Sequence, residues 1–175
     1  MSLFLAREWW TVKFGAGELF SDGGLAVGPL IGDRDTSQII TGSLEGLLRV
    51  HESNEARDIV ATCLLEAQFD APILQVEVGH LIVHHDKYVN GLCILHPLKV
   101  IVYIIQSRGI SLGSPNSAEC RHHELLLQYS HRFDQEVEHF SALSMCLGPF
   151  GDEHADVTLV QSIDGRILIY DCDVR

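Results

Sequence analysis

The chain has 175 residues, 46% of them hydrophobic, which is enough for one sizeable core, since a domain near that length hides roughly two-thirds of its unfolded surface. Asp plus Glu number 24 against 12 Lys plus Arg, a formal charge of −12 with His neutral. That field repels a nucleic-acid duplex or an anionic bilayer, both of which are bound by Lys and Arg displacing counterions, so nucleic acid is excluded as a partner.

In chain order, Met1 to Trp10 carries Arg7 and Glu8 where a signal peptide needs an apolar run. Trp9 and Trp10 are neighbours on an extended segment, so one faces inward and the other outward. They are packing residues or, because Trp is enriched at interface hot spots, a partner contact. Gly15-Ala16-Gly17 and Gly23-Gly24 lack the Lys and helix of a phosphate loop. From there the apolar period is 2 rather than 3.6. Leu48-Arg49-Val50-His51, Leu74-Gln75-Val76-Glu77-Val78 and the series Leu125, Leu127, Tyr129 each place apolar residues on one face. Gln75 and Glu77 are expected on the opposite, polar face. Residues 59–67 also show helical spacing, but Leu65, Ala67 and Phe69 alternate before Pro72, so Thr62 to Phe69 is read as a strand. Val100 to Ile105 and Ile167 to Tyr170 are apolar on both faces and are expected between two layers.

Turn chemistry punctuates these strands. Gly42-Ser43-Leu44-Glu45-Gly46, Pro97 with Lys99, and Asp164-Gly165 mark tight hairpins. Loops are expected at Gly32 to Thr36, Glu52 to Arg57, Gly109 to Ala118 and Gly148 to Asp156. Three segments repeat one scheme of strand, tight turn and strand, beginning at Ile39, Cys93 and Leu159. The expected fold is therefore all-β, a propeller of four-stranded antiparallel blades of which the first two to three are present. The blade-like units are placed at about 18–69, 72–130 and 137–175. An arc of that kind exposes edges, and the isolated chain is expected to be poorly soluble, dimeric or stabilised by its assembly.

Sites of chemistry are sparse. The five cysteines form no C-x-x-C pair, and a reduced, cytosolic chain is expected. The best apolar stretch, Val100 to Ile105, is far shorter than the roughly 20 residues of a membrane helix. His80, His84, His85 and His96, and Cys120 with His122 and His123, cluster in sequence without the usual zinc spacing. They are read as structural or solvated. Ser43 and Ser162 stand in turns rather than in a nucleophile elbow, and the acidic run Asp134, Glu136, Glu138 reads as an exposed strand face or loop. No catalytic residue, cofactor or metal is expected.

Four ordered motifs carry a family resemblance: the Ala6-Arg7-Glu8-Trp9-Trp10 opening, Ile39 to Val50, Pro72 to Gly79 and Val160 to Gly165. Together they resemble the Bardet–Biedl syndrome 9 family, the parathyroid hormone-responsive B proteins. The resemblance implies a β-propeller and a non-enzymatic scaffold subunit of the BBSome, a coat-like complex moving membrane proteins to and from cilia. It further implies the other BBSome subunits as partners, indirect membrane and Arf-like GTPase association through the complex, and a place in the cytoplasm, basal body and cilium. The rival reading is a self-contained small β-domain, a closed barrel binding a small ligand or a protein partner.

Overall fold

The computed structural model describes residues 11–31, 36–52, 62–84, 87–110, 120–135, 139–150 and 156–171. Those residues form three antiparallel meanders. The first sheet is β1 (Leu25–Gly28), β2 (Gln38–Gly42), β3 (Leu47–Glu52) and β4 (Thr62–Gln68). The second is β5 (Gln75–His84), β6 (Lys87–His96), β7 (Lys99–Ile110) and β8 (Cys120–Arg132). The third has three strands among the described residues: β9 (Ala142–Pro149), β10 (Asp156–Ser162) and β11 (Ile167–Tyr170). A single 3₁₀ turn, Phe133–Gln135, is the one helical element described, and no described helix is long and apolar enough to cross a membrane. Three separate up-and-down sheets make an incomplete propeller-like fold, not a closed barrel.

The turn residues explain why the hairpins close where they do. Ser43 and Ser162, both fully buried, occupy equivalent corners at the ends of β2 and β10. The Ser43 hydroxyl accepts the Leu47 N–H at 3.2 Å, and the Ser162 hydroxyl accepts the Arg166 N–H at 3.0 Å. Gly46 has φ +83° and Gly165 φ +86°, a region that L side chains avoid. At Gly46 the space is closed as well: a Cβ would meet the Phe69 and Ala71 carbonyl oxygens at 2.6 and 2.7 Å. The second sheet uses His96 at the same corner, with Pro97 and Leu98 forming the turn between β6 and β7.

Two apolar clusters bind the sheets in series. Ile40, Leu48, Val50 and Leu65 of the first sheet pack with Val76, Leu92 and Ile94 of the second. The other face of the second sheet, including Cys93, Leu95, Val100 and Val102, packs with Phe133, Phe140, Met145 and Val160. The middle sheet is thus covered on both faces, as expected for Val100 to Ile105. Ile167 to Tyr170 is a correction: Leu168 and Tyr170 pack inward, whereas Ile167 and Ile169 are 62% and 48% exposed. No described residue covers that outer face. A second correction concerns β8. The register shifts between Val102 and Tyr103, so that Tyr129 pairs with Val102 while Leu127 pairs with Tyr103. This bulge puts Tyr129 on the opposite face from Leu125 and Leu127, because one extra residue inverts the alternation. β4 runs as the strand expected for Thr62 to Phe69. The expected loops lie mostly outside the described residues, although β7 continues through Gly109 to Ile110.

Candidate interaction surfaces

The third sheet leans on the second through side chains that replace strand pairing. The Gln75 amide donates from Nε2 to the Met145 carbonyl at 2.7 Å, and its Oε1 accepts the Met145 N–H at 2.8 Å. Glu77 Oε2 accepts the Leu147 N–H at 3.0 Å, and Asp156 Oδ2 accepts the His80 N–H at 2.8 Å. Gln75 and Glu77 therefore do not face solvent as their alternation suggested. They point into the junction between β5 and β9, where they satisfy backbone groups of a strand too far away to pair directly.

Burial pushes the Glu77 carboxyl above its ordinary value of 4.5, against the opposing hydrogen bonds from Leu147 and Gln75. A raised folded-state value means that the folded chain holds this proton more tightly than the unfolded chain. The contribution of Glu77 to stability is then fully present at acid pH and falls as pH rises through the raised value. Accordingly, the stability of Glu77→Gln relative to the parent should increase between about pH 4 and pH 7, followed by urea unfolding at successive pH values. A constant difference across that range would remove the burial argument.

On the first sheet, the segment 11–20 crosses the outer face. Arg49 of β3 donates from Nη1 to Glu18 Oε2 and from Nε to Glu66 Oε2, both at 2.7 Å, and its guanidinium carbon lies 5.2 Å from the Phe14 ring centroid. These contacts raise the Arg49 pKa, the Glu18 hydrogen bond most of all, and lower that of Glu18. Arg49→Met should lower stability by about 1 kcal/mol and speed proteolysis within residues 11–20. Unchanged cleavage would show that the segment is held by other contacts.

The sequence-derived candidates are not gathered into one centre. Trp9 and Trp10 lie outside the described residues, as do His85, Glu136 and Glu138. His80 is exposed beside Asp156, and His96 is buried with Nδ1 donating to the Pro72 carbonyl at 2.7 Å. His123 Nδ1 bonds the Ser107 hydroxyl at 2.9 Å. Asp134, exposed in the 3₁₀ turn after β8, is paired with Arg132. Among the described residues no group of three His, Cys, Asp or Glu is placed to hold a metal. What the surface does present is apolar: Leu25 and Val27 on the first sheet, and Leu143, Ile163, Ile167 and Ile169 on and beside the third.

A propeller-like arc of antiparallel meanders defines the class: an all-β protein with an incomplete propeller-like fold. Over residues 1–175 the chain matches the family described as PTHB1 N-terminal, and it belongs to that family. It is 34% identical over 190 aligned residues to Protein PTHB1 of Xenopus laevis, and 32% identical over 190 to that of Mus musculus. To Protein PTHB1 of Homo sapiens it is 31% identical over 183. Each alignment covers 98% of this chain and 19% of the relative, so the chain spans about one-fifth of the length of these proteins.

Proposed function

We propose that the chain works as a non-enzymatic scaffold, the amino-terminal propeller portion of a BBSome subunit that helps carry membrane proteins to and from cilia and takes part in cilium assembly. Membership of the PTHB1 N-terminal family over the whole chain is the observation that carries this reading. The non-enzymatic part rests on the resemblance, which supplies no catalytic residues. Exposed apolar residues on the first and third sheets, Leu25, Val27, Ile167 and Ile169 among them, supply surfaces for packing in an assembly. In this reading the partners are the other BBSome subunits, and membranes and an Arf-like GTPase are reached through the complex. The protein then resides in the cytoplasm, at the basal body and at the ciliary membrane.

Affinity purification of the tagged protein from ciliated cells tests the proposal. Stoichiometric recovery of a multi-subunit coat is expected, and recovery of the protein alone under conditions that preserve such coats would defeat it.

A further inference from the structure

A cavity of about 360 Å³ opens where the link between the first two sheets meets the β6–β7 turn. Its walls include Ala71 and Pro72 from the link, Leu98 from the turn, and the charged side chains Asp70, Lys99 and Arg132. Lys99 and Arg132 are direct cross-strand partners in the β7–β8 ladder. Like charges placed opposite each other on one sheet repel unless an anion lies between or beside them. In a chain of net charge −12, this pair sets two cations side by side at the mouth of one cavity.

The molecule already displays the chemistry this pair attracts, because each cation carries a carboxylate. Lys99 Nζ reaches Asp70 Oδ1 at 3.4 Å, and Asp70 is 86% exposed. Arg132 grips Asp134 with Nε at 3.0 Å and Nη2 at 2.6 Å, which leaves Nη1 outside that pair. The Asp70 contact is long and solvated, the kind of surface pair that contributes little. A second carboxylate can therefore add to, or replace, Asp70 without disturbing the fold. Pro72, Pro97 and Leu98 give the cavity an apolar lip, with Leu98 exposed.

We propose that this cavity docks an acidic side chain of a partner polypeptide, presented in an extended segment beside an apolar residue. The carboxylate lies between Lys99 and the unused face of Arg132, and the apolar neighbour covers Leu98. The net charge of −12 repels such a segment at long range, but that repulsion is screened within about 8 Å at physiological ionic strength. Selection is thus made by contact inside the cavity.

The test is fluorescence anisotropy of the 175-residue chain with a labelled, acetylated Glu-Leu-Glu-Leu peptide. Saturable binding is expected, with none for Gln-Leu-Gln-Leu. Lys99→Gln and Arg132→Gln should each weaken binding by about fivefold, and Arg132→Lys should retain most of it. Circular dichroism checks each variant, and the exposed Arg132 carries the test should Lys99→Gln unfold. Absence of binding to the acidic peptide, equal binding of the glutamine peptide, or unchanged affinity in both glutamine variants overturns the proposal. So does saturable binding of inorganic phosphate without peptide binding, which would assign the cavity to a free anion.

Discussion

Phe133→Ala is expected to lower the stability of the chain by about 3–5 kcal/mol, the range for truncating a fully buried aromatic residue. Phe133 has no solvent exposure, and its ring centroid lies 4.8 Å from that of Phe140 and 5.9 Å from that of Tyr170. It sits just after β8 but belongs to the cluster that joins the second sheet to the third. Its loss opens a cavity between sheets rather than within one, and the surrounding strands, each tied into its own ladder, collapse only partly. Urea unfolding should show the drop in midpoint, and hydrogen exchange should show β10 and β11 opening first. Leu127→Ala, at an exposed position of the same second sheet, should change stability by no more than about 0.5 kcal/mol. Equal effects of the two substitutions would mean that the sheets are not held by this cluster.

The second large effect is expected at Gln75. Gln75→Ala removes a side-chain amide that acts as a surrogate peptide group for Met145, donating to its carbonyl and accepting from its N–H. Both backbone groups are then left without partners in a half-buried junction, and the expected loss is about 2–4 kcal/mol. The same change withdraws the 2.6 Å hydrogen bond to Glu77, so the Leu147 contact is loosened too. Amide exchange at Met145 and Leu147 should accelerate before that of β6 and β7, which lie within the second sheet. Gln75→Glu keeps the acceptor, loses the donor and sets a second carboxylate beside Glu77. It should be more destabilising at neutral pH than at acid pH. Protection of Met145 that survives Gln75→Ala would show that the sheets are joined without this amide.

Much of the architecture was legible in the residues. Period-2 alternation is a local property of the pleat, so Leu48 to His51 and Leu74 to Val78 announced strands. The Gly46 and Gly165 corners were legible because positive φ selects glycine in tight turns. Ser43 and Ser162, read as turn residues rather than nucleophiles, are the capping groups of two equivalent hairpins.

The cavity at Lys99 and Arg132 was not legible. It depends on a register that brings together residues 33 positions apart and adds the Asp70 link from the other side. Trp9 and Trp10, read as packing residues or as a partner contact, lie outside the described residues.

The sequence by itself determined that this is an all-β chain of repeated hairpins, because pleat, turn and repeat are encoded within a few residues of one another. Only the tertiary structure decided what each face of a strand meets. Alternation separates two faces but does not say what lies against them: Gln75 and Glu77 proved to be clasps on a distant backbone, Ile167 and Ile169 proved to be exposed, and one bulge in β8 turned Tyr129 over. The physical reason is that burial is a property of the neighbouring sheet, and that sheet is supplied by residues far away along the chain.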